Sequence, residues 1–511
     1  MKRTYLGSLD PRFFGIKIAF ESHQDFDFST KVYSGQLGTP QLAKMRSLGQ
    51  ISERDLWLAT AIEHELRHYH DSLITPHWLS IQALRNQCAM NTQTMLASLA
   101  DFITLTDSNC VALPLCKWLV FGDRDRQMRA EAWPHAGDAP WRPIPLPIYP
   151  LPKMPPSTFW PKVPEELSDD AESFAGLLRL CTMGQDRIAE LNAGRATGEW
   201  ANFRPNHTYE LSAIIAQLVA AHITFDDRAA HDLRHSIQRH AMRDYGGPLL
   251  FVLSWLVSCK GVGWSNVLHV ANILTTWAIL GPPDRTEDQK GNARTSQELA
   301  LSCPAGRLAF ALDVVKGQGL HSETPAKLFD FLDKAAGTTD FRSAIAWVDT
   351  MVQNKAKWYA EMAEKTSRPD FIVISKHFET YRVQRAKIMD VIRDDPGLYA
   401  DPVRYMNEIV YFPRPVIRTE FIGKQPIMLY EDDPSLAFSR GVFDWIKRDD
   451  GSYIVKAFIG DLPEDIDSKT IYDYENLQVF TDTLLTGKVP SENFSAVKQL
   501  FAESNLTVFL A

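Results

Sequence analysis

Apolar residues recur at three- and four-residue steps between residues 52 and 74, which is the spacing of one face of an α-helix. The positions are Leu58, Ile62, Leu66, Tyr69 and Leu73. Ser52 and Asp55 have the spacing of a capping box, and Pro76 cannot continue a helix. The pattern therefore predicts a helix that begins after Ser52 and ends near residue 74.

Helical patterns dominate the chain as far as residue 400. A second helix is predicted over 77–103, and others near 168–194, 207–224, 227–244, 249–280, 296–315, 324–336, 340–365 and 378–393. The stretch "FFGIKIAFE" close to the N-terminus instead predicts a strand, and residues 1–50 are expected to form short strands and turns. We therefore predict a mainly α fold with a small N-terminal β-sheet.

Two segments depart from the helical pattern. Residues 133–164 carry 11 of the 30 prolines together with five aromatic residues, which predicts an ordered, polyproline-like strap rather than a disordered linker. From about residue 401 the pattern alternates and becomes rich in β-formers. The expected division is an N-terminal part (1–130), a proline-rich strap (131–165), a helical domain (166–400) and a C-terminal α+β domain (401–511).

The most apolar stretch, residues 247–283, favours two buried helices over a membrane hairpin. Its first run ends at Cys259 and is too short to span a bilayer. Its second run contains Asn266, His269 and Asn272, and the glycines at 261 and 263 are suited to a turn between the runs. No membrane partner is therefore expected.

Composition narrows the functional classes. The net charge of −9 argues against a general nucleic-acid binder, which would carry a basic face. The six cysteines form no CxxC pair, so zinc-finger spacing is absent, and their sparseness suits a reducing compartment. The first 20 residues contain no continuous apolar run typical of a secretory signal. We expect a cytoplasmic protein, and the sequence leaves its oligomeric state open.

Candidate chemistry is concentrated in "EHELRHYHD", residues 63–71. On a helix, His64 and His68 lie on one face, one turn apart, so both imidazoles can bind one metal ion. Glu65 lies about 100° round the helix, so it can reach a water in an open coordination position instead of binding the metal. Zinc lowers the pKa of such a water to about 7, and a carboxylate can then take its proton. The spacing predicts His64 and His68 as zinc ligands and Glu65 as the catalytic base.

The segment "AIEHELRHYH" resembles the active-site helix of the zincin metallopeptidases, which carry the HExxH motif. The resemblance implies that a small twisted sheet packs on this helix and a helical subdomain follows, and that a metal-bound water hydrolyses a peptide bond. It departs from the stricter family pattern at Arg67, where an uncharged residue is usual, and at His70, where a hydrophobic residue is usual. No metzincin extension follows. The resemblance is thus to a divergent, possibly gluzincin-like member.

A third metal ligand is expected because catalytic zinc usually has three protein ligands. In gluzincins a second helix supplies a glutamate, and "YELSAIIAQ" is similar to that helix, with Glu210 as the ligand and Asn206 as a candidate N-cap. A glutamate near a helix N-terminus is also favoured by the helix dipole alone. Glu210 is therefore the leading candidate, with this structural alternative left open.

Four further residues are candidates for supporting roles. Asp71 shares the face of the two histidines, so it could bind the metal or orient His68 by a hydrogen bond, and His70 is a weaker alternative ligand. Tyr209 and His231 are possible stabilisers of a transition state. His231 belongs to a second pair of histidines four residues apart, with His235. In that pair Asp232 stands where the first motif has a glutamate, and its shorter side chain would not reach the water.

Other interpretations remain open. The histidines could belong to a solvated polar helix face. Glu65 and His68 also form an ExxH element of the kind that helical di-iron oxidases use in pairs, but the chain has no second ExxH. A non-enzymatic helical scaffold is the third possibility. The sequence favours a zinc metallopeptidase acting on a protein or peptide.

Overall fold

The computed structural model describes residues 7–10, 15–33, 36–106, 110–113, 168–193, 196, 198–240, 247–263, 266–281, 300–320, 324–338 and 340–409, with strands and short segments between 412 and 510. Its helices are α1 (His23–Tyr33), α2 (Thr39–Ser47), α3 (Glu53–Ile74), α4 (Pro76–Thr106), α5 (Ser168–Ala193), α6 (Pro205–Thr224), α7 (Asp227–His240), α8 (Gly247–Val257), α9 (Val267–Ile279), α10 (Pro304–Gln318), α11 (Pro325–Ala336), α12 (Phe341–Thr366), α13 (Pro369–Asp394), α14 (Gly397–Ala400) and α15 (Pro402–Glu408). The described chain is mostly helical, as predicted.

Within the described residues, seven short strands form two sheets. They are β1 (Gly7–Asp10), β2 (Gly15–Phe20), β3 (Cys110–Leu113), β4 (Ile417–Phe421), β5 (Asp444–Lys447), β6 (Tyr453–Ala457) and β7 (Thr507–Leu510). The larger sheet has the order β1-β2-β4-β6-β5, and β3 pairs with β7 in the smaller one. All pairs are antiparallel except β2–β4 and β3–β7, which are parallel.

The larger sheet crosses the predicted domain boundary at residue 400. Strand β2 near the N-terminus pairs with β4, so that Ile16 lies opposite Ile417. The strands expected in a separate C-terminal domain thus complete the N-terminal sheet. The proline-rich strap over 131–165 lies outside the described residues, as do most residues between 422 and 506.

Helix α3 contacts both the N-terminal strands and several of the later helices. Its predicted limits are confirmed: Ser52 is the N-cap, and the capping box with Asp55 is formed in both directions. Four residues of its predicted apolar stripe, Leu58, Ile62, Tyr69 and Leu73, are buried in the main core, and the fifth, Leu66, is partly buried against it. Helices α1, α4, α6, α7 and α13 and strands β1 and β2 pack around it. The helix is therefore fixed on most of its circumference.

The prediction of short strands and turns over residues 1–50 is wrong for residues 23–33 and 39–47, which form α1 and α2. The N-terminus of α1 is held by Ser22 and Asp25. The amide of Asp25 donates to the Ser22 hydroxyl, and the amide of Ser22 donates to the Asp25 carboxylate. This is the same capping box as at Ser52 and Asp55, so the local signal for a helix was present.

The apolar stretch forms two separate helices, as predicted. Helices α8 and α9 are 11 and 13 residues long, and Gly261 between them adopts a φ of 89°, which favours glycine. Trp277 on α9 is fully buried. Among the described residues, no helix has both the length and the apolar character needed to cross a bilayer.

A buried histidine on α13 should make the fold sensitive to acid. The ring of His377 stacks on Tyr474, with 3.5 Å between the ring centroids. Burial lowers the pKa of His377 to about 3, so the folded protein keeps this imidazole neutral. An unfolded histidine titrates near pH 6.5. Between these values only the unfolded chain binds the proton, so this residue makes the free energy of unfolding fall as the pH drops from about 6.5 towards 3.

We therefore expect His377→Phe, which keeps an aromatic ring against Tyr474, to weaken this acid sensitivity. Lowering the pH from 7 to 5 should cost the wild type about 2 kcal/mol more than the variant, at about 1.4 kcal/mol per pKa unit. Urea unfolding at both pH values measures the difference. Equal losses in the two proteins would contradict the assignment of this proton to His377.

Candidate metal centre

Helix α3 presents two imidazoles from one face. His64 and His68 are one turn apart, and their Nε2 atoms are separated by 3.1 Å. The rings lie edge to face, with 4.8 Å between their centroids. The side chains are 16% and 11% exposed, so they are partly accessible from solvent. The helical spacing thus brings two nitrogen donors to one point.

Helix α6 brings a carboxylate to the same point. Glu210 places Oε2 at 3.4 Å from Nε2 of His64 and Oε1 at 3.4 Å from Nε2 of His68. The helix begins at Pro205, and the N-cap position is Arg204 rather than the predicted Asn206. Proline suits the first position of a helix because it needs no backbone N–H there. Glu210 consequently lies in the second turn of α6, facing α3.

The three donors have dimensions that fit a zinc ion. Zinc–nitrogen bonds of about 2.0–2.1 Å in a tetrahedral site place neighbouring ligand atoms about 3.3–3.4 Å apart. The separations here are 3.1, 3.4 and 3.4 Å. Two imidazoles and one carboxylate are also the donor set of a catalytic zinc with an open fourth position. In the part of the chain that the structure describes, His64, His68 and Glu210 form the cluster of three potential metal ligands.

The Glu210 carboxylate and the His68 imidazole stabilise each other's charged forms. Burial alone would raise the pKa of Glu210, but the neighbouring imidazoles of His68 and His64 hold it at about 2. Burial opposes protonation of His68, whereas the charge and hydrogen bond of Glu210 outweigh burial and raise its pKa. The site therefore contains an ionised carboxylate at neutral pH, which favours a cation.

Glu65 lies beside the cluster but is closed off from solvent. Its side chain is only 4% exposed, and burial, reinforced by the charge of Glu210, raises its pKa to about 8. The backbone N–H of Leu9 in β1 donates to the carboxylate. The described residues provide no hydrogen-bond partner for its Oε2. One carboxylate oxygen thus has its hydrogen-bonding capacity unused.

Strand β1 approaches Glu65 so closely that Gly7 is required there. A Cβ atom at residue 7 would lie 2.6 Å from both Cγ and Oε1 of Glu65. Real Cβ atoms do not come this close, so any larger residue would displace the strand or the carboxylate. The N-terminal sheet therefore fixes the position of the predicted base.

Asp71 is fully buried and belongs to a separate polar contact. Tyr399 donates a hydrogen bond of 2.6 Å to its Oδ1, and Nε of Arg67 lies 3.3 Å from the same atom. Asp71 acts on His68 through its charge, which raises the histidine pKa. The structure does not bring Asp71 into the three-ligand cluster.

His70 also forms its hydrogen bonds away from the cluster. Its Nδ1 lies 2.7 Å from the hydroxyl of Tyr405, and its Nε2 lies 2.7 Å from the carbonyl oxygen of Pro413. Because a carbonyl only accepts, Nε2 carries the proton and Nδ1 accepts from Tyr405. Burial lowers the pKa of His70 to about 3, which keeps it neutral. Both ring nitrogens therefore form hydrogen bonds within the fold, and neither faces the cluster.

The two predicted transition-state stabilisers have other partners. The hydroxyl of Tyr209 lies 3.2 Å from Oγ1 of Thr75 and 3.1 Å from Nδ1 of His77, at the C-terminal end of α3. His231 is on α7, where its half-exposed ring lies against His235, with 3.2 Å between the Nε2 atoms. Neither residue contacts the three-ligand cluster among the described contacts.

Sequence reasoning missed the partners that surround the site. Gln217 on α6 lies 3.1 Å from Nδ1 of His64, and Ser212 accepts a hydrogen bond from Arg67. Gln217 is seven residues after Glu210, which places both on one face of α6, so the spacing was a usable signal. The contact of Leu9 with Glu65 depends on the sheet and leaves no local signal.

The arrangement of the described site residues can be stated from the structure alone. The geometry brings together the two histidines of the motif and one glutamate of a second helix. Comparison of the chain with protein-family models, with curated proteins and with solved structures found no match.

Proposed function

We propose that this chain is a zinc-dependent peptidase in which His64, His68 and Glu210 hold the metal and Glu65 is the general base. The observation that carries the proposal is the convergence of three donor groups at 3.1–3.4 Å. An incidental polar helix face would not require a carboxylate from another helix to meet both imidazoles. The donor set, its partial exposure and its charge all suit a catalytic zinc.

The protein groups have distinct tasks in this proposal. Zinc, when bound, supplies a Lewis acid and an acidified water. Glu65 accepts a proton, and its dry environment makes its carboxylate a stronger base than a solvated glutamate. The Leu9 N–H holds the carboxylate in one orientation while Oε2 remains available. Pre-set orientation of this kind is what general base catalysis needs.

The peptide substrate is supported by the position of β1. This strand ends the order of the larger described sheet, and it lies directly beside Glu65 through Gly7 and Leu9. Extended peptides bind to the free edges of sheets by adding a strand. A peptide aligned in this way would pass the base.

Metal analysis tests the proposal first. We expect about one zinc per purified chain, as in other single-site zinc enzymes, and strong loss of zinc in His64→Ala and Glu210→Ala. His235→Ala is the matched control, because it removes a histidine of the exposed i,i+4 pair on α7. Digestion of a peptide library by the zinc-loaded protein, followed by mass spectrometry, then tests the reaction.

The outcomes separate the alternatives. Absence of zinc, or zinc that His64→Ala leaves unchanged, would refute the metal site. Two irons per chain would instead favour the di-iron oxidase. Zinc bound at the site without cleavage of any peptide would refute the peptidase and leave a structural metal in a scaffold protein.

A further inference from the structure

Gln217 connects the two helices of the site through buried contacts. It lies on α6, and its side chain spans two residues of α3, His64 and Thr60. Oε1 is 3.1 Å from Nδ1 of His64, and Nε2 donates to Oγ1 of Thr60 at 3.1 Å. Gln217 and Thr60 are 1% and 0% exposed, so water does not compete for these bonds.

The hydroxyl of Thr60 determines which end of the amide faces which partner. Thr60 Oγ1 donates its single hydrogen to the carbonyl oxygen of Leu56 at 2.7 Å. A hydroxyl has one hydrogen, so Thr60 can only accept from Gln217. The amide NH₂ of Gln217 must therefore face Thr60, and its oxygen must face His64.

The orientation of Gln217 in turn determines the tautomer of His64. An amide oxygen only accepts, so Nδ1 of His64 carries the hydrogen and Nε2 of the neutral ring carries the lone pair. Nε2 is the atom that faces His68 and Glu210. We infer that Gln217, oriented by Thr60, is a positioning residue that holds His64 in its metal-binding tautomer, an inference that rests on the proposed zinc site.

A neutral partner suits this position. A carboxylate is the common partner of a metal-binding histidine, but this site already contains Glu210 and the buried Glu65, whose Oε2 has no hydrogen-bond partner. A carboxylate at residue 217 would add a third acidic side chain next to His64. Gln217 orients the imidazole without adding that charge.

Zinc affinity tests the inference without depending on catalysis. Competition titrations against a chelator should show about 10–100-fold weaker zinc binding in Gln217→Leu, which is the usual effect of losing such a partner. Thr60→Val should weaken binding in the same direction, because the amide loses the acceptor that orients it. Gln217→Glu keeps an oxygen acceptor for Nδ1, so it should bind zinc within a few-fold of the wild type.

Ser212→Ala is the matched control for damage to packing. Ser212 lies on the same helix, is fully buried and contacts α3 through Nε of Arg67 at 2.7 Å, not through a histidine. It should lower the free energy of unfolding and leave zinc affinity close to that of the wild type. Urea unfolding of each metal-free variant shows that it is folded.

Three results would overturn the inference. Unchanged zinc affinity in Gln217→Leu would refute it and leave the proposed zinc site intact. Equal losses of affinity in Gln217→Leu and Ser212→Ala would show a general effect of helix packing. A wild type that binds no zinc would refute the site itself, so failure of the inference and failure of the proposed function are distinguishable.

Discussion

Replacing Glu65 by glutamine should lower kcat for peptide hydrolysis by about 10²–10⁴-fold, the usual contribution of a general base, while zinc content stays unchanged. The amide has nearly the shape of the carboxylate, and its oxygen can still accept the hydrogen bond from Leu9. It cannot take up a proton at neutral pH. His64, His68 and Glu210 are not altered, so the proposed metal ligands are retained. Steady-state kinetics on a cleaved peptide, with zinc measured in the same samples, checks both statements.

Glu63→Gln is the control for this substitution. Glu63 lies two residues earlier on α3 and is partly buried, but it contributes no ligand to the cluster. It should leave kcat close to that of the wild type. Equal losses in the two variants, or loss of zinc in Glu65→Gln, would show that the substitution acts through the helix. A rate unchanged by Glu65→Gln would remove Glu65 from the proposed reaction.

The sequence predicts α3 well because all of its signals are local. The capping box at Ser52, the apolar period and Pro76 lie within 25 residues of one another. Helix α1 carries the same kind of capping box at Ser22 and Asp25, but strand-forming residues precede it and turn-forming residues follow it, so the local signals conflict there. Helices can thus be predicted where the capping residues, the apolar period and the stop residue agree.

The sheet could not be predicted in the same way. Strand β4 adds to β2 by pairing Ile417 with Ile16, and nothing near either residue identifies its partner. The environment of Glu65 follows from this sheet, because Gly7 and Leu9 reach the carboxylate only once β1 is in place. Burial and partners of the base therefore depend on contacts between distant parts of the chain.

The ligand set was partly accessible from sequence. His64 and His68 follow from helical spacing, but the approach of Glu210 depends on how α6 packs against α3. Asp71 shared the predicted face and was the local rival to Glu210, which was the leading candidate. Its carboxylate is instead held by Tyr399, which lies more than 300 positions later in the chain. Only the packing of the distant segment separates the two candidates.

Arg67 and His70, the two departures from the zincin pattern, share a structural cause. Both point into the segment that contains α14 and α15: the Arg67 Nη1 donates to the carbonyl of Tyr399 at 3.0 Å, and His70 contacts Tyr405 and Pro413. A hydrophobic residue at either position would leave these buried polar groups without partners. The unusual residues therefore attach α3 to the end of the helical body.

We accordingly expect Arg67→Met to lower the free energy of unfolding by about 3–5 kcal/mol, the usual effect of breaking a buried ion pair. Arg67 is fully buried, with its guanidinium carbon 3.8 Å from the centre of the Tyr399 ring. Without Arg67, Asp71 is an uncompensated buried carboxylate. The hydroxyl oxygens of Ser212 and Thr276 also lose the hydrogen bonds that they accept from Arg67. Urea unfolding of the metal-free proteins measures the change.

Two further variants show whether burial is the reason. Arg54 also lies on α3, and it forms a partly exposed ion pair with Asp25 of α1. Arg54→Met should therefore cost only about 0–1 kcal/mol. In Arg67→Met combined with Asp71→Asn, no unpaired charge is left, so the loss should be smaller than the sum of the two single losses. Strict additivity would contradict the coupling of Arg67 with Asp71. A loss below about 1 kcal/mol in Arg67→Met would mean that this arginine does not hold α3 in place, since buried pairs of this kind are worth more.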